Sequence, residues 1–330
     1  MIDLNLKEVK LALDAVRQAS QLVQQVQSEL VSASLTKDDR SPVTVADFAS
    51  QAVVAKMLDD VFPGDPLVAE EDSAALREAQ EEATLEKVTS FVARVHASTT
   101  PASVCDWIDR GKGQPSQRFW TLDPIDGTKG FLRSDQYAVA LALLIDGKVQ
   151  LGVLGCPKLD SGYRPAMTGE GCLVLARRSQ GSWTTSLSEP GRFEALHVSA
   201  CNDPGQARLL RSFESGHTNV NQIDEFARSL GVQVEPVRMD SQAKYAVLAS
   251  GHGELLLRLI SPSQPDYHEK IWDQAAGSLV LEEAGGQISD LAGKPLDFRS
   301  GRTLANNRGV LASNHRLHPA ALKTLVAIGA

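Results

Sequence analysis

The chain is short of cysteine, of basic excess and of long apolar runs, and each shortage narrows what it does. Four cysteines, Cys105, Cys156, Cys172 and Cys201, stand among 330 residues. None forms a C-x-x-C pair, which argues against zinc and against a disulfide-stapled secreted domain. A reducing compartment is the default. The formal net charge is −8, so non-specific attraction to a nucleic acid polymer or an anionic membrane is not expected. An acidic chain binds anions only through locally concentrated basic residues or through metal ions. The densest apolar run, Leu255-Leu256-Leu257, is broken at once by Arg258, far short of a membrane span. The first residues, MIDLNLKEVKLALDAV, are amphipathic and carry acids, unlike a secretory signal or a transit peptide. The expected compartment is the cytoplasm, or an organelle if a presequence has been removed. No internal repeat or low-complexity tract is visible.

What is present reads as a folded protein, long enough for one large domain or two ordinary ones. Val9, Leu13, Val16, Val23, Val26 and Leu30 recur at helical spacing and predict a long amphipathic helix. A second helix is expected after SPVT, from about Val45 to Leu58, ended by Phe62-Pro63-Gly64. PLVAEED reads as a short buried strand leading into acids. Ser73 to Gln117 carries charge and loop signals, so it reads as a tolerant loop region. YAVALALL and KVQLGVLGC are strand-like runs joined by the hairpin dipeptide Asp146-Gly147. After SLSEPGR, strand-like FEALHVS, VQVEPVRM and GELLLRLI alternate with helical IDEFARSLG, SQAKYAVLASG and EKIWDQAAGSLVLEEAGG. The expectation is an α+β half over residues 1–192 and an α/β half over residues 193–330.

The stretch DPIDGT, Asp123 to Thr128, puts two carboxylates three positions apart after an apolar run. Proline holds Asp123 extended. The chain then turns, which lets Asp126 point back toward the same space. Gly127 permits close backbone approach or positive φ, and Thr128 can cap the helix that follows. Free N–H groups at such a turn suit a phosphate; a plain solvated turn is the competing reading. Glu70 and Glu71 follow a strand directly, where burying one would be costly without a cation. Asp273 opens a helix beside Trp272, a position that the helix dipole favours by itself.

Together VTVADF (Val43–Phe48), VAEEDS (Val68–Ser73), WTLDPIDGTKGF (Trp120–Phe131) and KIWDQAAG (Lys270–Gly277) resemble, in order and spacing, the lithium-sensitive, magnesium-dependent phosphatases of the inositol monophosphatase superfamily. The resemblance runs from about Lys37 to Ala312. Within it, DSQAKY combined with EKIWD is most similar to the 3'(2'),5'-bisphosphate nucleotidase branch of plants and fungi, together with DDRSPVTVAD, SFESGH, LRL and EEAGGQISDLAGKPLDF. The resemblance implies a layered αβαβα sandwich of two halves, with most metal ligands in the first and nucleotide-binding residues in the second. It implies two or three Mg²⁺ ions held by Glu70, Asp123, Asp126, Asp273 and the Ile125 carbonyl, an oxygen-only set that suits a hard ion. Asp47 and Thr128 would together activate the attacking water. Gly127, His217, Ser241, Lys244, Arg258 and Lys270 match positions that hold substrate, with Thr128 and Asp273 also facing it. Arg258 stands out on its own, since it interrupts an apolar strand.

The implied reaction, placed in sulfur metabolism, is hydrolysis of 3'-phosphoadenosine 5'-phosphate to AMP and phosphate, with its 5'-phosphosulfate analogue as a further substrate. The partner is thus a small nucleotide, and the protein a monomer or homodimer. Inositol polyphosphate 1-phosphatase or inositol monophosphatase activity is the alternative. A non-catalytic nucleotide or metal sensor is a remoter one. Two positions depart from the family pattern: Ala69, where glycine is frequent, and Gln274, where histidine is common. Finally, Cys156 ends one strand-like run and Cys172 opens another. If those strands pair, the thiols form a candidate redox pair, against the plainer reading of two inert buried cysteines.

Overall fold

A computed structural model describes residues 2–31, 41–160, 164–165, 170–189, 191–213 and 220–330. It opens with α1 (Lys7–Val26), whose helix continues as a π-helical turn over Gln27–Val31, and α2 (Ser41–Val61). SPVT lies inside α2 instead of before it, because proline in a first helical turn removes only a donor that has no partner there.

A seven-stranded sheet follows. Its strands are β1 (Leu67–Ala69), β2 (Arg118–Asp126), β3 (Ala138–Ile145) and β4 (Lys148–Cys156), then β7 (Cys172–Arg177), β8 (Ser182–Ser186) and β9 (Glu194–Ala195), hydrogen-bonded in that order. A separate ribbon, β5 (Leu159–Asp160) and β6 (Arg164–Pro165), intervenes. FEALHVS therefore supplies the last strand of the first sheet and does not open the second. The stretch from Ser73 to Gln117, read as loop, holds two helices, α3 (Glu82–Ala93) and α4 (Pro101–Asp109). The signals were present: Leu85, Val88 and Phe91 recur at threes, and Thr100 and Ser103 cap α4 reciprocally with Pro101 at its first position.

Beyond the short α5 (Thr128–Leu132), the remaining helices are α6 (Val220–Leu230), α7 (Ala243–Ala249), α8 (Ala275–Glu283) and α9 (His318–Ala327). They accompany a five-stranded sheet of β10 (Leu209–Arg211), β11 (Val237–Arg238), β12 (Leu255–Arg258), β13 (Gln287–Ser289) and β14 (Val310–Ser313), in the order β11-β10-β12-β14-β13. VQVEPVRM contributes only the two residues of β11 to it.

Period-two side chains sort the core into three layers. On β3, Val139, Leu141 and Leu143 face α1 and α2, whereas Ala138, Ala140 and Ala142 face α7 and α8. On β12, Leu256 joins that middle layer, while Leu255 and Leu257 face α6 and α9. Helices, sheet, helices, sheet, helices is the αβαβα sandwich expected. Among the described residues, no helix is long and apolar enough to cross a membrane.

Candidate metal and phosphate site

The site begins with an irregularity in β2. Asp123 pairs with Ala140 and Asp126 with Ala138, so one extra residue is inserted on β2. In a regular strand, residues three apart face opposite sides. The bulge restores Asp126 to the face of Asp123, the one that Ala138 and Ala140 turn toward α7 and α8. A bulge also accommodates Pro124, which has no N–H for the ladder. The Ser50 hydroxyl on α2 donates to the Pro124 carbonyl at 2.9 Å. Ile125 packs its side chain in the outer core, and its carbonyl oxygen accepts from the Thr128 hydroxyl at 3.5 Å. Gly127 then takes φ +91° and opens α5.

Glu70 leaves β1, which runs parallel to β2 with Ala69 opposite Leu122. Its neighbour Glu71 is fastened through the main chain: its N–H donates to Gln51 Oε1 at 3.1 Å, and its carbonyl accepts from Gln51 Nε2 at 2.7 Å. Gln51 Nε2 also donates to the Ile108 carbonyl at 2.8 Å, so α4 helps to hold this peptide. Asp273 does not open α8 but stands in the turn before it, with Gln274 between them at the N-cap.

Electrostatics show that these acids face one another. Burial, then Glu70, Asp126, Asp273 and Asp47, hold Asp123 far above the usual carboxylate range. Glu70 keeps solvent access, yet crowding by surrounding protein, then Glu71 and Asp126, pushes it up to about 7 against a hydrogen bond with Asp123. Asp273 is raised by burial, then by Glu269, and by Asp126 and Glu70. Burial raises Asp126 too, opposed by Lys244 and Arg258. Asp47 is raised by burial, then by Glu71 and Glu70. The bond from Thr128 runs to Ile125; among the described residues no direct Asp47–Thr128 bond forms.

The cluster fits a cation on its chemistry. Asp123 Oδ1 is buried with no hydrogen-bond partner, a costly arrangement for a carboxylate unless something positive meets it. The available donors are all oxygens, as Mg²⁺ prefers. As they stand, no three His, Cys, Asp or Glu side chains among the described residues are gathered closely enough to hold an ion.

Opposite the acids lies a basic wall from the second half. Lys244 is 5 % exposed and donates to the Ser212 hydroxyl at 2.8 Å. Burial, then the charge of Arg258, lower it to about 8. Arg258 meets Glu269 through Nε at 3.1 Å and Nη2 at 3.0 Å. Burial alone would lower its pKa, but Glu269, Asp273, Tyr267 and Asp126 raise it. Gln274 donates to Glu269 Oε2 at 3.0 Å and accepts from the Tyr245 hydroxyl. The glutamine found where the family commonly has histidine thus steadies the carboxylate that orients Arg258. Ser241 is buried next to Gly127, and Lys270 lies near enough to Glu70 to oppose its upward shift. His217 lies outside the described residues. Gln51, Gln242, Glu269 and Arg302 also shape the site and were not singled out in the sequence; Gln242, inside DSQAKY, and Glu269, which opens EKIWD, carried a signal.

Cys156 and Cys172 are direct partners across β4 and β7. Both are free and buried, and a hydrogen bond that the Cys156 thiol donates to Cys172, then burial, raise the Cys156 thiol.

An αβαβα sandwich thus brings acids near a strand bulge toward Lys244 and Arg258 in the layer between its two sheets, a candidate cation and phosphate site. The sequence profile of the inositol monophosphatase family matches residues 5–330, more of the chain than the motifs alone cover. A Schizosaccharomyces pombe protein named 3'(2'),5'-bisphosphate nucleotidase is 42% identical over 326 residues, covering 93% of this chain and 91% of the relative. A protein of the same name from Oryza sativa is 42% identical over 337 residues, covering 96% and 93%. A solved inositol monophosphatase from Anabaena superposes with a TM-score of 0.62 at 21% identity, covering 96% of this chain and 94% of that one, and shows the fold. The chain belongs to the inositol monophosphatase family, whose members are generally metal-dependent.

Proposed function

We propose that this chain is a 3'(2'),5'-bisphosphate nucleotidase that hydrolyses the 3'-phosphate of 3'-phosphoadenosine 5'-phosphate to AMP and phosphate. The 5'-phosphosulfate analogue is a second substrate in this reading. One observation carries it: two cations, the buried Lys244 and the half-buried Arg258, adjoin the acid cluster, with Glu269 the carboxylate that directly pairs with Arg258. Arg258 has Glu269, whereas the ammonium of Lys244 is buried against a hydroxyl and beside a like charge, an arrangement that a further anion stabilises, and a second phosphate on the substrate is such an anion. The names of the fungal and rice relatives point the same way.

The halves expected at 1–192 and 193–330, with the boundary moved beyond β9 because that strand completes the first sheet, then divide the work. Glu70, Asp123, Asp126, Asp273 and the Ile125 carbonyl would hold two or three Mg²⁺ ions, which when bound neutralise phosphate charge and make water more acidic. Asp47 accepts the proton of the attacking water, and the Thr128 hydroxyl orients that water for in-line attack on phosphorus. Gly127, with no side chain, lets the scissile phosphate approach the backbone. Ser241, Lys244, Arg258 and Lys270 hold the 5'-phosphate, and His217 is assigned to the nucleotide from its sequence motif.

Phosphate release from 3'-phosphoadenosine 5'-phosphate, its phosphosulfate analogue, inositol 1,4-bisphosphate and inositol monophosphate, with and without Mg²⁺ and Li⁺, tests the assignment. A higher kcat/KM on either inositol phosphate than on the nucleotide would sink it.

Cys156 and Cys172 are proposed as a reversible pair. Directly opposed antiparallel residues have Cα atoms about 4.5–5.5 Å apart, within the roughly 4.4–6.8 Å that a disulfide spans. Thiol counting after equilibration with oxidised glutathione should show both thiols consumed together in the wild type. Two thiols that remain free, or one consumed alone, would leave the pair inert.

A further inference from the structure

Gln242 is 2 % exposed and has no part in the chemistry above. Its main-chain N–H donates to Asp126 Oδ2 at 2.7 Å. Its side-chain Nε2 donates to the Trp272 carbonyl at 2.9 Å, and its Oε1 accepts from the Gly277 N–H at 3.1 Å. Three segments therefore close on one residue: the turn that ends β2, the peptide just before Asp273, and the first turn of α8. We infer that Gln242 is a positioning residue that fixes Asp126 and Asp273 relative to each other. The inference rests on reading those two acids as metal ligands.

The place requires an amide. The Trp272 carbonyl can only accept and the Gly277 N–H can only donate, so the group between them must donate at one atom and accept at the other. Glutamine does both; an ionised glutamate or an aliphatic side chain does not, and a buried group left unmatched pays its desolvation cost. An amide is also neutral. It restrains two mutually repelling carboxylates without competing for the cation, as lysine would, and without adding to the repulsion, as glutamate would.

The surroundings leave little slack. Ser241 sits at φ +69°, a left-handed conformation that a serine rarely adopts, and its hydroxyl accepts from the Ala243 N–H at 3.2 Å. A Cβ on Gly277 would lie 2.2 Å from the Tyr245 ring, and one on Gly127 would lie 2.9 Å from Ser241 Cβ. Helices α7 and α8 and the β2 turn are thus in close contact around Gln242. The strain at Ser241 is held by neighbours on every side, of which the Gln242 bonds are the ones that reach the acids.

The test is a titration of the full chain with Mn²⁺ alone, free ion being counted by electron paramagnetic resonance with no substrate present. Gln242→Met keeps length and loses both amide bonds; Gln242→Leu loses shape as well. Affinity is expected to fall about tenfold or more in each, the scale set by lost hydrogen bonds behind metal ligands, while each variant keeps a cooperative unfolding transition, its midpoint lowered by the buried groups left unmatched. Mn²⁺ affinity within twofold of wild type in a folded variant would overturn the inference. So would loss of fold in both variants, which would make Gln242 a structural residue only. Asp126→Asn is the separating control: if it also binds Mn²⁺ like the wild type, the metal reading itself fails, a different result from silence at Gln242 alone.

Discussion

The guanidinium of Arg302 lies 4.9 Å from the centroid of the Trp272 ring and donates to the carbonyl oxygens of Gly111 and Gly113, each at 3.2 Å, and of Ala69. Ala69 precedes Glu70 and Trp272 precedes Asp273, so one side chain joins the two peptides that bring acids from opposite ends of the sequence. Among the described residues no carboxylate pairs with Arg302, and burial lowers its pKa. The role suits arginine, whose planar fork reaches several carbonyls while its face stacks on an indole.

Arg302→Lys is therefore not conservative. Loss of most of these charge-assisted bonds is expected to cost about 2–4 kcal/mol of stability, read as a lower urea midpoint with an unchanged slope. Arg302→Ala should cost as much or slightly more. Full stability in the lysine variant would show that charge alone, without the fork, suffices.

The acid cluster predicts a pH dependence that appears only without metal. Asp123 is held far above its ordinary value, and Glu70 is raised to about 7. A group whose folded pKa is raised favours folding while it stays protonated, and that contribution is lost as pH rises through the folded value. In chelator, thermal stability should decline from about pH 4.5, the ordinary glutamate value, through about 7. Saturating Mg²⁺ should abolish that decline. Asp123→Asn should raise the midpoint in chelator and weaken the gain on adding Mg²⁺. A midpoint that ignores Mg²⁺ at pH 8 would contradict the cluster's assignment.

Much of this site was legible because its logic is local. DPIDGT displays both carboxylates, the proline that suits a bulge and the glycine with positive φ in six consecutive residues. The alternation in AVALALL carries the two faces of β3. The Cys156–Cys172 register was likewise inferable from strand ends. What escaped is set by distant contacts or masked by composition. Arg302 bonds to a carbonyl 233 residues away, and a backbone carbonyl leaves no trace in a sequence. Helices α3 and α4 were hidden by surface charge, although their caps and spacings were readable. FEALHVS has strand character, but nothing in it says which sheet it completes.

Lys244 predicts how substrate affinity varies with pH. Its amine is lowered to about 8 by burial and then by the charge of Arg258. Below that value it is cationic and grips an anion; above it the ammonium is lost. KM for 3'-phosphoadenosine 5'-phosphate should rise as pH passes about 8, while 3'-AMP, without a 5'-phosphate, should show no such rise. Lys244→Met should raise KM for the bisphosphate by about 10- to 100-fold, the scale of one lost charge-assisted bond. Steady-state kinetics on the two substrates separates this titration from any general effect on catalysis. A parallel rise for both would remove Lys244 from 5'-phosphate binding.

Gly127 meets two separate demands, and a pair of substitutions distinguishes them. Its φ of +91° disfavours any side chain, and a Cβ there would stand 2.9 Å from Ser241 Cβ. Gly127→Ala should thus cost about 1–3 kcal/mol, from the left-handed backbone and from overpacking together. Asparagine tolerates that backbone better than alanine does, yet it brings the same Cβ against Ser241, so Gly127→Asn should also be impaired. Ser241→Gly removes the opposing Cβ and eases the serine's own φ of +69°. In a double-mutant cycle measured by chemical denaturation, Gly127→Ala with Ser241→Gly should be more stable than the sum of the single effects. Strict additivity would mean that backbone strain alone sets the cost, and that the β2 turn and the start of α7 do not limit each other.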